Sequence, residues 1–256
     1  MNNLLTNDIS ERVNAIIIIH DLICAKYEDN KKILKENIDN IIKIFIIAMK
    51  NLFNTNDITT IPIKFSKYLA TVLCKIASNK ELISNISYDV LYELSEELLS
   101  NLLIENLDKI GNNQEGSIIF KSLNSTMLRI LENCNSTNVI LVLLDLIKTY
   151  RTKGEKSKVA GLAIKCLLKV NQNLSTIINS ISVDKILLQI HILLIDFEQT
   201  QPDLTPKTQT DQMIIRFIKN LINDLCKIKL QKIVLDYDLV KNHGVNDKYI
   251  IKWIKK

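Results

Sequence analysis

SLNSTMLRILENCNSTNVILVLLDLIKTY, Ser122 to Tyr150, is the stretch from which the fold can be read. Leu123, Met127, Ile130 and Leu131 recur at i, i+4, i+7 and i+8, and Val139, Leu143, Leu146 and Ile147 repeat the pattern beyond a polar break. The spacing predicts two antiparallel amphipathic helices. Asn135, Ser136 and Thr137 bring side-chain oxygens to the point where the second helix leaves its first N–H groups without partners. No catalytic pattern occurs in the stretch.

The same apolar period, followed outward, predicts helices at about 11–28, 37–53, 62–79, 88–109, 116–133, 137–152, 156–173, 183–198, 209–228 and 230–240, with a short one at 246–255. Several starts have a local cause: Ser10 before Glu11, Pro62 at a first helical position, Ser87 before Tyr88-Asp89, and Ser182 before Val183-Asp184. No strand pattern competes with them. The helices pair, and the starts near Ser117 and Ser157 stand 40 residues apart. A two-helix repeat of about 40–47 residues is the HEAT-type signature, in which a hairpin buries its apolar face only against the next. The expectation is an all-α, HEAT-repeat α-solenoid of five to six hairpins, a single domain over 1–256 with the helix at 246–255 as its cap.

Composition agrees with helices. Of 256 residues 47% are hydrophobic, enough for a continuous core, while five Gly and three Pro are too few for a turn-rich sheet protein. A net charge of +5, with Lys interspersed among Asp and Glu, lacks the concentrated basic footprint of a nucleic-acid binder. The start MNNLLTNDISER shows no signal-peptide pattern, and runs such as Ile44 to Met49 stop well short of the roughly 18 residues of a membrane span. The chain reads as soluble and intracellular, with neither nucleic acid nor membrane as partner.

Cys24, Cys74, Cys134, Cys166 and Cys226 are widely spaced, odd in number and without a C-x-x-C pair, which suits reduced structural thiols. His20-Asp21 invites a general-base reading, but neighbouring helical residues face different directions, so no dyad is expected. His191 lies in the apolar run KILLQIHILL and reads as a core or interface residue, and His243 beside Gly244 as a loop residue. No phosphate loop, H-E-x-x-H helix, nucleophile elbow or zinc spacing is present, so the reading is non-catalytic, with no cofactor or metal.

In a stack of hairpins the turns within repeats line one edge. Those turns are Lys26 to Glu36, Ser78 to Ser87, Asn133 to Asn138, Asn171 to Ser182 and Lys227 to Gln231. They make Tyr27, Lys31, Lys32, Lys80, Lys227 and Lys229 the candidate partner-binding edge. The run Lys148 to Lys158 carries five basic residues against Glu155 and reads as a solvated linker between repeats, the alternative being a patch for an acidic partner. The tail YIIKWIKK, with the single Trp253, reads as the capping helix, the alternative being an amphipathic anchor.

The opening stretch, together with KVAGLAIKCLLKVNQNLSTIINSISVDKILLQIHILL and IIRFIKNLINDLCKIKLQKIVLD, resembles the C-terminal TOG-like domain of the microtubule-polymerase family that includes the ch-TOG protein. Asn124, Arg129 to Glu132, Thr137-Asn138, Lys165-Cys166-Leu167, Ile178 to Ile181, Asp184 to Leu188, Ile190-His191 and Leu225 to Lys229 carry the resemblance. It implies a HEAT-repeat TOG domain in a cytoplasmic, cytoskeletal protein of microtubule plus ends, spindle poles and kinetochores. Family members capture αβ-tubulin with arrays of such domains. An acidic partner of that kind suits basic turns.

Tubulin-binding TOG domains are similar to one another in presenting a Trp in the first intra-repeat turn, where KYEDNKKILKEN offers Tyr27. The departure implies weak tubulin binding at most, and a role as an interaction module for adaptors of the transforming acidic coiled-coil type or for neighbouring segments. The alternative is a genuine αβ-tubulin-binding domain that uses Tyr27 and the lysines. With the adaptor-joining tail expected beyond Lys256, the chain reads as an excised domain.

Overall fold

The computed structural model describes residues 8–24, 28–54, 58–111, 114–200 and 208–229. Every regular element among them is helical. The chain forms two compact units, Met1–Asn135 and Ser136–Lys256.

In the first unit α1 (Ile9–Cys24) and α2 (Glu28–Glu36) are followed by α3 (Ile38–Phe53), α4 (Ile63–Ser78), α5 (Lys80–Ile83), α6 (Tyr88–Asn101) and α7 (Gln114–Asn133). One layer is α1 against α4 and α4 against α7; the other is α3 against α6. In the second unit come α8 (Ser136–Tyr150), α9 (Ser157–Gln172), α10 (Leu174–Ile177), α11 (Val183–Thr200) and α12 (Gln209–Lys229). There α8 packs on α9 and α11, and α9 packs on α12. Each unit is a stack of helical hairpins, the HEAT-like all-α arrangement that the period predicts.

The apolar register holds residue by residue. Leu123, Met127, Ile130 and Leu131 of α7 are buried, as are Val139, Leu143, Leu146 and Ile147 of α8. Side chains such as Phe45, Phe65 and Phe197 are fully enclosed, and each large apolar side chain withdrawn from water contributes about 1.5–3 kcal/mol. Polar bonds then set how neighbouring helices align. The Ser87 N–H donates to Oδ1 of Asp39 at 2.9 Å, and the Ser182 N–H donates to Oγ1 of Thr137 at 2.9 Å. In both units the donor immediately precedes one helix and the acceptor is the second residue of the helix that packs beside it. The sequence separations are 48 and 45 residues, somewhat longer than the 40 read from helix starts.

One expected cap is not made. Ser87 makes no side-chain cap of α6, because its contribution is a backbone donor. The Thr137 hydroxyl is taken by Ser182. Pro62 stands just outside α4, at its N-cap.

Other expectations shift at the connections. The helix expected over 88–109 ends at Asn101, where the chain bends through Asn106, with φ of 61°, into a 3₁₀ turn at Leu107–Lys109. Leu107 and Ile110 are buried, so an apolar turn prolongs the periodic signal beyond the helix. The turns expected at Lys26 to Glu36, Ser78 to Ser87 and Asn171 to Ser182 hold α2, α5 and α10. Asn37 closes α2, its amide donating to the Ile33 carbonyl at 2.9 Å. The helices expected at 230–240 and 246–255, His243, Trp253, Lys26 and Tyr27 lie outside the described residues.

Arg151 departs from the solvated linker expected over Lys148 to Lys158. Its side chain has no solvent exposure, while Lys153, Lys156 and Lys158 are exposed. The guanidinium lies 4.0 Å above the Phe197 ring, donates to the Asp196 carboxylate and carbonyl, and faces Asp211 at 3.9 Å. Asp211 also completes a reciprocal cap: its N–H donates to Thr208 Oγ1 at 3.0 Å, and the Thr208 N–H donates to Asp211 Oδ2 at 3.1 Å. One buried cation thus joins the end of α8 to α11 and to the start of α12.

Candidate partner-binding edge

The first unit contains Lys32 and Lys80, two of the candidate residues, and both are exposed. The nine-residue α2 lies over the ends of α1 and α5. Leu34 is buried, while Lys32, Ile33, Lys35 and Glu36 are exposed. Among its described side chains Leu34 alone turns inward, too little to produce a helical period in the sequence.

Between α2 and the α4–α5 corner lies a groove of about 260 Å³. Ile23, Leu34 and Leu82 supply its apolar surface, and Lys32, Lys35 and Glu81 its charge. Asn79 shapes the far wall by accepting the Leu82 N–H at 3.3 Å, which starts α5 and turns the chain back. Lys80 is exposed between Asn79 and Glu81. Lys35, in the last turn of α2, also complements the negative end of that helix.

The structure therefore brings Lys32 to the segment that carries Lys80. Lys31 belongs to α2 and Lys229 ends α12, but their side chains are outside what is described, as is Tyr27. Lys227 is exposed on α12 of the second unit, 3.8 Å from Asp224, which in turn accepts the Asn171 amide at 2.9 Å. Reading single turns missed Lys35, Ile33 and Glu81. The signal was present in KKILKEN, once those residues are placed on a helix.

Chemically the groove offers ammonium groups beside an apolar floor and one carboxylate. That suits an acidic or amphipathic peptide surface. Among the described residues no group of three or more His, Cys, Asp and Glu is arranged to hold a metal ion, and no helix is long and apolar enough to cross a membrane. His20 and Asp21, expected to face apart, meet at 3.2 Å because both side chains are exposed enough to swing together. Half-buried His191 has its pKa lowered by burial. Cys134 is enclosed and its thiol is pushed up to about 12, and half-buried Cys166 is pushed up to about 11, both by burial. Cys24 is exposed and departs from the buried-thiol expectation.

Fold and edge together define an all-α protein of stacked helical hairpins with a shallow, basic groove at its turns. Among curated proteins the chain is similar to protein MOR1 of Arabidopsis thaliana, 24% identical over 229 residues that cover 83% of this chain and 11% of the relative. It is also similar to centrosomal protein 224 of Dictyostelium discoideum, at 28% over 63% of this chain and 9% of the relative. Protein mini spindles of Drosophila melanogaster matches at 21% over 61% of this chain and 7% of its own length. These relatives support the TOG-like domain of the ch-TOG family as the class of this chain. The chain spans about a tenth of the length of the relatives it matches. No family model matches, and no solved structure matches.

Proposed function

We propose that the chain is a non-catalytic TOG-like interaction module, a single domain over 1–256, of a protein that organises microtubules and the spindle. The observation that carries this reading is the likeness to mini spindles and centrosomal protein 224 across a stack of helical hairpins. The cytoplasmic spindle pole or microtubule-organising centre is the corresponding location. In this reading the module binds αβ-tubulin weakly or not at all by itself, and engages an adaptor of the transforming acidic coiled-coil type or a neighbouring segment.

The groove supports the weaker tubulin role. Lys32 and Lys35 share it with Glu81, and among the described residues its lining holds no aromatic anchor. The exposure of Lys32 and Lys80 on one edge favours the second reading, a genuine tubulin-binding TOG domain. Co-elution with soluble αβ-tubulin on a sizing column, at low and near-physiological salt, separates the two. A complex stable at both salts establishes the tubulin-binding reading. Absence of a complex even at low salt leaves the adaptor reading, which then requires capture of an acidic coiled-coil peptide by the same chain.

A further inference from the structure

At the exposed end of α1 four polar side chains meet outside the groove. The Lys75 ammonium, on α4, donates to Cys24 Sγ at 2.8 Å and lies 3.2 Å from His20 Nε2. Cys24 Sγ is 3.7 Å from the same imidazole nitrogen, and Nδ1 of that ring is 3.2 Å from Asp21. Cys24 is exposed. Asp21 orients the ring with Nδ1–H toward its carboxylate, leaving Nε2 to accept from Lys75. The ammonium is thus held between an imidazole acceptor and a sulfur. Cys24 closes α1, where the helix dipole opposes negative charge with about half an elementary charge. A full cation touches the sulfur and stands ready to neutralise negative charge that develops as the bonds there change.

We propose that Cys24 is a peroxide-modified thiol and that Lys75 traps the oxidised sulfur as a covalent bridge between α1 and α4. In the first step the thiolate attacks one oxygen of hydrogen peroxide. An S–O bond forms, the O–O bond breaks, and the departing hydroxide takes a proton from the Lys75 ammonium as water. Sulfur is oxidised by two electrons and peroxide is reduced. In the second step the neutral amine attacks the sulfenic sulfur, an S–N bond forms, the S–O bond breaks, and the departing hydroxide leaves as water with a proton from nitrogen. The protein loses two hydrogens in all. Ile23, beside Cys24, lines the α2 groove, so the bridge also stiffens one wall of the candidate edge.

The test treats the chain carrying Cys74→Ala with hydrogen peroxide, followed by intact mass measurement and peptide mapping. Cys74→Ala removes the one disulfide that would join the same two peptides. The expected result is a loss of two hydrogens, a Cys24–Lys75 linked peptide, and its reversal by dithiothreitol. Lys75→Arg, which keeps the cation but cannot supply a neutral amine, is expected to give a dimedone-trapped Cys24 with no link. An unlinked sulfenic or sulfinic Cys24 in the Cys74→Ala chain overturns the proposal, as does an unmodified Cys24.

Discussion

Arg151 grips Asp196 by one edge of its fork: Nε and Nη2 both donate to Oδ2 of the carboxylate, at 2.8 and 2.6 Å, and Nη2 also donates to the main-chain carbonyl at 2.8 Å. Arg151 is the one arginine in the run KTYRTKGEKSK, but no apolar period there marks it as turned inward while Lys153, Lys156 and Lys158 stay exposed. Asp211, also buried, shares the cation. Removing it leaves carboxylates without their compensating charge, so Arg151→Met is expected to destabilise the second unit by about 3–5 kcal/mol. Arg151→Lys is expected to recover only part of that, since an ammonium lacks the planar fork. Urea unfolding of the three proteins checks the order.

The paired bonds at Asp39 and Thr137 give a graded expectation. Thr137 is buried, so Thr137→Val leaves the Ser182 N–H without its acceptor at a cost of about 1–3 kcal/mol. Ser87 is exposed and water replaces the carboxylate, so Asp39→Ala is expected to cost about 1 kcal/mol or less. Thermal unfolding in which Asp39→Ala proves the more damaging would contradict this account.

Two glycines inside helices are expected to respond with opposite sign. A Cβ on Gly116 would stand 2.6 Å from the Leu107 carbonyl oxygen and 2.7 Å from the Ile110 nitrogen, all main chain. Gly116→Ala is therefore expected to destabilise by about 1–3 kcal/mol, the range of an overpacked core. Gly161 in α9 has open space around the same position, so Gly161→Ala is expected to stabilise by about 0.5–1 kcal/mol. Melting temperatures of the two variants give the comparison directly.

Glu97 is buried on α6 and accepts the Asn101 amide at 3.0 Å. Burial raises its pKa above the ordinary 4.5, against the opposing pull of Asn101 and Lys50. A carboxyl with a raised folded-state pKa favours the fold below its unfolded value, and that contribution is lost as pH rises through the folded value. Glu97→Gln keeps the acceptor for Asn101 and removes the charge. It is expected to be more stable than the parent at pH 7, with the gap shrinking as the pH falls toward 4.5. Denaturant midpoints across that range measure the gap.

If tubulin or an acidic adaptor engages the groove, reversing Lys32, Lys35 and Lys80 to Glu is expected to weaken binding at least tenfold, about 1.4 kcal/mol. The parent's affinity should fall with added salt over the range in which a Debye length shrinks below about 10 Å. Titration of the triple variant at two ionic strengths checks both. Binding unchanged by the reversal would remove the groove from the interface.

The spacing of Leu123, Met127, Ile130 and Leu131 and of their counterparts in α8 determined helix positions from sequence alone, because a helix side that must leave water repeats near every 3.6 residues wherever the chain goes. The HEAT-like class followed from that period, from the scarcity of Gly and Pro, and from the spacing of the hairpins. Sequence also singled out Lys32 and Lys80 as edge residues, since polar turns between apolar helices stay outside. Only the tertiary structure decided that α2 seats Leu34 and sets Lys35 in the groove, that Arg151 turns inward, and that Lys75 reaches Cys24. Each of these depends on a partner about 45–50 residues away or on a single buried anchor. No local period encodes such a meeting; it exists only once hairpins stack and bring side chains from different helices within reach.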